Sequence, residues 1–181
     1  VSFLGNIEPE NGFENQADTA DRLLACLPSM LLYWHRFHTD GTRIDTEKDD
    51  DSVAGHFLHM LHDAPPSDLH RQCLDTTLIL YAEHEFNAST FTGRVITGTL
   101  SDMHSAVTGA IGALRGPLHG GANEAAMALI EKYQTAEEAA AGIHGMLERK
   151  DLIMGFGHRV YTTSDPRNSV NKRMSKTLAE E

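Results

Sequence analysis

The chain is short of cysteine, of positive charge and of long apolar runs, and each shortage removes a class of explanation. Its two cysteines, Cys26 and Cys73, lie far apart and form no Cys-x-x-Cys pair, so they read as free thiols, small buried hydrophobes in a reducing compartment. Lysine and arginine total 15 against 26 acids, a formal net charge of -11, which argues against a nucleic-acid partner. An anionic small substrate would then need basic groups placed locally. No apolar stretch reaches the length of a membrane span, and the first residues lack the basic and apolar regions of a secretory signal. The expectation is a cytoplasmic protein without a membrane partner.

Internal repeats are missing too, and from Ala88 to Leu114 the chain sustains neither the period of two nor the β-branched content of a sheet, which points towards helices. At 181 residues, 40% hydrophobic and 23% charged, the composition is that of a soluble globular protein. A compact chain of this size should bury roughly 70% of its unfolded surface. Thr19 can cap a helix carrying Leu23, Leu24, Leu27, Met30, Leu31 and Trp34 at helical spacing, with a kink expected at Pro28. Further helices are expected over "DSVAGHFLHMLHD", from about Ser67 through "LHRQCLDTTLILYAEHE", and over "ANEAAMALIEKY", where Met127, Ile130 and Tyr133 share a face. Thr135 and Glu138 form a capping-box pattern, and Asp165 followed by Pro166 starts a last helix. Between Ala88 and Leu114 small residues, Gly109 and Gly112 among them, permit close packing of helix on helix. The chain begins at Val1 and stops at Glu181 within a helical pattern, and is read as part of a longer protein.

Eleven histidines invite a metal reading. His56, His59 and His62 recur at three-residue steps, but the outer two turn well apart on a helix, so no metal is expected there. The stretch "HTDGTRIDTEKDDDSVAG" lacks the acid spacing and glycine placement of a helix-loop-helix calcium site and reads as a solvated loop.

Three other histidines sit in chemically suggestive turns. In "AEHEFNAST" His84 lies between Glu83 and Glu85 with Asn87 close by, and flanking acids favour the charged, doubly donating imidazole. A satisfied surface histidine is the plain alternative. In "LRGPLHGGANE" His119 is held between Gly116-Pro117 and Gly120-Gly121 just before a helix, whose amino end favours a neutral imidazole able to donate to a developing enolate oxygen. In "GFGHRV" the glycines around Phe156 let a ligand approach main-chain groups beside His158. Nine residues on, Arg167 stands in the first turn of a helix, where guanidinium and helix terminus together suit a carboxylate.

"AEHEFNASTFTGRV", "GALRGPLHGGANEAAM" and "GFGHRVYTTSDPR", taken in order with "VSFLG" and "LLYWHRFH", resemble the citrate synthases from end to end of the chain. The resemblance implies an all-α, multi-helical fold, with residues 1–118 a segment of a large domain and 119–181 a segment of a small one. It also implies a homodimer. By position, His119 would stabilise the enol of an acyl-CoA and His158 would polarise the ketone that is attacked. His84, Asn87 and Arg167 would bind oxaloacetate, while Leu118, Met154, Gly155 and Gly157 would line the coenzyme A site. Neither a metal nor an organic cofactor is implied, the acyl-CoA being a substrate. The reaction would join propionyl-CoA to oxaloacetate, giving 2-methylcitrate, with acetyl-CoA as the alternative donor. Arg159 matches many acetyl-CoA enzymes where propionyl-CoA enzymes often carry proline, while "YTTSDPR" favours propionyl-CoA.

Thr162 stands where some family members present a basic residue to coenzyme A, so that contact does not transfer. The resemblance also requires a carboxylate base, which the family places farther along than residue 181; Asp165 matches a helix cap instead. A noncatalytic helical binding or dimerisation module is the alternative for the 181 residues by themselves. These residues alone are therefore expected to show no condensation when purified free of longer enzyme. Release of coenzyme A thiol from either acyl-CoA in the presence of oxaloacetate would overturn that expectation.

Overall fold

The computed structural model describes residues 1–158 and 160–181; Arg159, on which part of the acyl-donor comparison turns, lies outside the described residues. Among the described residues there are nine helices and no strand, as the pattern predicts. They are α1 (Ser2–Ile7), α2 (Gln16–Asp40), α3 (Val53–His62), α4 (Asp68–Tyr81), α5 (Ala88–Thr97), α6 (Met103–Leu114), α7 (Gly121–Ile130), α8 (Ala136–Arg149) and α9 (Pro166–Ala179). The chain divides into two compact units, one of Val1–Pro9 with Phe86–Thr163 and one of Glu10–Glu85 with Ser164–Glu181.

The second of these units holds α2, α3, α4 and α9, each packed on the next. Helix α2 starts three residues before the cap expected at Thr19, because Thr19 is already inside its first turn. Its amide and hydroxyl both donate to the Asn15 carbonyl, at 3.1 and 3.2 Å. Pro28 lies within the helix, which continues to Asp40. The spacing of its leucines identifies a helix but not the face it buries. Leu23 and Leu32 are buried, whereas Leu24, Leu31 and Trp34 are 57%, 54% and 57% exposed. Nine residues apart, Leu23 and Leu32 sit half a turn out of phase in a regular helix, so α2 does not bury one continuous stripe.

Helix α3 supplies the centre of this unit. Ser52 caps it by accepting the Gly55 amide at 3.0 Å. Met60 is 1% exposed, a burial contributing about 2 kcal/mol. The far end of α3 is closed from α2, where Arg36 Nη1 donates to the Leu61 carbonyl at 3.2 Å, satisfying an acceptor that the helix leaves open. The irregular segment before α3 is pinned by Asp50, whose carboxylate meets His56 Nδ1 at 3.3 Å and His59 Nδ1 at 3.0 Å. His56 Nε2 lies 3.1 Å from the Ser29 hydroxyl. Two of the three evenly spaced histidines thus tie a loop to a helix. Helix α4 is capped by Ser67 and ends at Tyr81, four residues before the end predicted at Glu85, leaving 82–87 as a link.

In the other unit, α5 and α6 form an antiparallel pair joined by a short link. A Cβ on Gly93 would meet the Ala106 carbonyl at 3.8 Å, and one on Gly109 would overlap Ile96 Cδ1. The small residues let these two helices approach each other, as expected, although nothing lies within 4 Å of a Cβ on Gly112. Helix α1 docks on α6 through Gly5, where a Cβ would stand 2.8 Å from that of the buried His104. Helix α7 ends at Ile130 and turns inward through Leu129, while Met127 and Ile130 are exposed, so the face expected on this helix is again not the buried one. Thr135 accepts the Glu138 amide at 3.2 Å, and the Glu138 carboxylate reaches back to the Gln134 amide at 2.9 Å. This is the predicted capping box, closed one residue early.

The accessible surface is 13207 Å². A compact monomer of this mass would expose about 8,700 Å², and two separate compact halves about 10,400 Å². The sizeable core expected from length is therefore not reached. Phe3, Ile79, Leu100, Leu118 and Phe156 are among the large hydrophobic side chains left in solvent.

Asp102 caps α6 by accepting the Ser105 amide and hydroxyl, both at 2.8 Å. The amide bond, followed by the hydroxyl, holds its carboxyl below the ordinary value of 3.8. A depressed carboxylate contributes stability that is present above its unfolded pKa and is lost as pH falls through the folded one. Asp102→Ala should cost about 1 kcal/mol at pH 7, with the gap narrowing as pH is taken below 3.8. Urea denaturation of both proteins across that range checks this, and a gap independent of pH would count against it.

Candidate active site

The turn between α6 and α7 is wound around Gly116. Its carbonyl accepts the amides of His119 at 2.9 Å and of Gly121 at 3.1 Å. The two glycines that follow are needed for room. Gly120 has φ -61° and ψ -31°, which any residue adopts, but a Cβ there would lie 2.5 Å from the Leu114 carbonyl oxygen. One on Gly121 would lie 2.9 Å from the Gly116 oxygen. Absence of a side chain, more than backbone freedom, is what this turn requires.

So wound, the turn delivers His119 to the amino end of α5. Asn87 caps that helix, its Oδ1 accepting the Thr90 amide at 3.0 Å. The amide of Ser89, in the same first turn, has no acceptor within the helix. It donates to His119 Nε2 at 3.3 Å, and the Ser89 hydroxyl lies 2.8 Å from the same nitrogen while also reaching the Ala110 carbonyl at 3.0 Å. An amide can only donate, so Nε2 accepts and the proton of a neutral ring sits on Nδ1. The helix terminus that matters to His119 is thus the start of α5, thirty residues upstream, where the sequence reading names the helix that follows. Ser89 is missed by that reading. The available signal was a serine two residues past an asparagine cap.

His158 is fixed in a related way from a different loop. Its Nδ1 accepts the amides of Val160 at 3.1 Å and Tyr161 at 3.2 Å, which places the proton of a neutral ring on Nε2. The Tyr161 ring lies against it, centroids 4.6 Å apart. Here the glycines do need their freedom, since Gly155 and Gly157 have φ of +89° and +83°. A Cβ on Gly155 would also approach that of Ala126 on α7 to 3.2 Å. His119 and His158, with Asn87, Leu118, Met154, Gly155 and Gly157, belong to the unit of Val1–Pro9 and Phe86–Thr163. Leu118 is 93% exposed and Met154 half-buried.

His84 and Arg167 belong to the other unit. His84 is half-buried in the link after α4, just before Glu85, which takes a left-handed φ of 50°. Arg167 lies at the start of α9, where Asp165 caps as predicted by accepting the Arg167 amide at 2.9 Å. The sequence does not announce that the same carboxylate also grips the Arg167 guanidinium, with Nη2 to Oδ2 at 2.6 Å. An imidazole N–H can donate to an oxygen acquiring charge, and a guanidinium can hold a carboxylate.

The profile of the family described as "Citrate synthase, C-terminal domain" matches residues 1–181, and the chain belongs to the citrate synthase family. It is 61% identical over 178 residues to the 2-methylcitrate synthase of Shewanella oneidensis, covering 98% of this chain and 48% of that protein. It is 42% identical to citrate synthase 2 of Bacillus subtilis, over 98% of this chain and 48% of that protein. Among solved structures it resembles citrate synthase of Thermoplasma acidophilum in its ternary complex with carboxymethyl coenzyme A and oxaloacetate. That likeness has a TM-score of 0.86 and 32% identity, covering 99% of this chain and 48% of that one. The chain thus spans about half the length of the curated relatives it matches.

The two rings should be opposite tautomers. In long-range nitrogen–proton NMR spectra of the neutral histidines, His119 is expected to show a protonated Nδ1 and His158 a protonated Nε2. The reverse assignment at either ring would refute the corresponding amide contact.

Proposed function

We propose that the chain is the central part of an enzyme that condenses propionyl-CoA with oxaloacetate and water, giving 2-methylcitrate and coenzyme A. The observation that carries this is the 61% identity to a 2-methylcitrate synthase, maintained over 98% of the chain. In the reaction a proton leaves the carbon beside the thioester, and negative charge develops on the thioester oxygen. His119, whose Nε2 accepts the Ser89 amide, donates from Nδ1 to that oxygen and stabilises the enol. As the enol attacks, His158 donates to the ketone oxygen of oxaloacetate, while Arg167 holds a carboxylate of the same molecule and His84 and Asn87 contact it. Leu118 and the main chain at Met154, Gly155 and Gly157 line the coenzyme A site, the last two being glycines whose backbone a ligand can approach closely. Asn87 would combine substrate contact with its capping of α5.

The reading includes a homodimer, for which the exposed apolar residues give a physical motive, and a division of the chain near His119 between large-domain and small-domain segments. It needs no metal or organic cofactor. Free Cys26 and Cys73 suit a cytoplasmic setting, and no helix among the described residues is long and apolar enough to cross a membrane.

Use of acetyl-CoA is the second reading, favoured by the 42% identity to citrate synthase 2 of Bacillus subtilis. One methylene in an apolar pocket is worth about 1–3 kcal/mol, roughly 10–200-fold in discrimination. With these residues in a full-length synthase polypeptide, kcat/KM from coenzyme A thiol release should favour propionyl-CoA over acetyl-CoA by at least roughly tenfold. A preference for acetyl-CoA would replace the first reading with the second.

A further inference from the structure

The Arg167 guanidinium is gripped from two directions by its own unit. Arg167 Nε lies 3.0 and 3.1 Å from the two carboxylate oxygens of Asp165, and Nη2 lies 2.6 Å from Oδ2. From α4, the ring of Tyr81 faces the guanidinium with Cζ 5.8 Å from the centroid, within range of a cation–π contact. The Asp165–Arg167 pair is partly withdrawn from solvent, its side chains 26% and 21% exposed.

An arginine side chain carries substantial rotamer entropy, and binding through a mobile one loses much of that. Here part of that freedom is already restricted, since the ion pair holds one edge of the guanidinium and the ring lies beside it. Asp165 occupies the Nε–Nη2 edge, so a second carboxylate gripped by two parallel bonds must use the edge formed by Nη1 and Nη2. The added negative charge repels such a carboxylate. Its contribution is therefore direction, delivered at some electrostatic expense in a partly solvated site.

We propose that Asp165 and Tyr81 are positioning residues that aim Arg167 at a substrate carboxylate. The inference rests on the reading of Arg167 as the group that holds oxaloacetate. Asparagine caps a helix about as well as aspartate, so Asp165→Asn removes the ion pair and leaves the start of α9 intact. Tyr81→Leu removes the ring, and Tyr81→Phe restores a ring without the hydroxyl.

The test is steady-state kinetics with these residues in a full-length synthase polypeptide, varying oxaloacetate and acyl-CoA separately. Asp165→Asn should raise the oxaloacetate KM roughly tenfold while the acyl-CoA KM and the melting temperature stay near wild type. Tyr81→Leu should raise the oxaloacetate KM as well, and Tyr81→Phe should rescue it. In an Arg167→Gln background, which itself raises the oxaloacetate KM, Asp165→Asn should add nothing. The proposal falls if Arg167→Gln raises that KM and Asp165→Asn leaves it unchanged or lowers it. If Arg167→Gln leaves it unchanged, the assignment of Arg167 falls first and takes the proposal with it.

Discussion

Each helix begins with backbone amides that it cannot satisfy, and in this chain the disposal of those amides organises both the fold and the site. At α3, α4, α6 and α8 the task falls to Ser52, Ser67, Asp102 and Thr135, all ordinary local caps. At α5 it is shared, for Asn87 takes the Thr90 amide and His119 takes that of Ser89. A residue thirty positions away in sequence thereby completes the end of a helix. The contact that fixes the tautomer of His119 is also a packing contact between the α6–α7 turn and α5, so chemistry and local stability there share one hydrogen bond. At α9 the pattern recurs with a charge, since Asp165 closes the helix and restrains Arg167.

The close packing of α5 on α6 serves the same end. Ser89 and Ala110 face each other across that pair, and the glycines at 93 and 109 set how closely the helices lie. Substitutions that push the helices apart would move the Ser89 amide relative to the turn that carries His119. The cost of such a change would be read in the ring's hydrogen bond before it was read in global stability. On the outer faces the opposite condition holds, with Leu24, Leu31 and Trp34 of α2 in solvent. A helix with apolar residues on two sides is ordinary in a protein where both sides are covered.

What the sequence makes legible here follows the range of the interaction. The starts of α8 and α9 are readable because capping involves residues one to three apart. So are the all-helical class and the turns at His119 and His158, whose glycines stand next to the residues they serve. The face of α2 is not readable, because leucines at 23, 24, 27 and 31 satisfy helical spacing on either side and only the neighbouring helix selects one. Thr19 resembles a cap by composition, yet the chain upstream already adopts a helical turn. Ser89 is hidden for a further reason. Its partner is fixed by how tightly the 116–121 turn winds, a matter of missing Cβ atoms rather than of a recognisable pattern.

His119 and His158 take their orientation from main-chain donors, those of Ser89, Val160 and Tyr161. A side chain can be exchanged by a single codon change, whereas a peptide N–H is common to every residue but proline. The electronic state of both rings is therefore buffered against drift at the residues that set it. Position 160 can vary widely in side-chain chemistry while still supplying the same donor, and the one replacement that removes it outright is an imino acid, whereas Ser89 adds its hydroxyl to the contact with His119 and Tyr161 lays its ring against His158. Position 160 would register in a proline scan and pass almost unnoticed in an alanine scan.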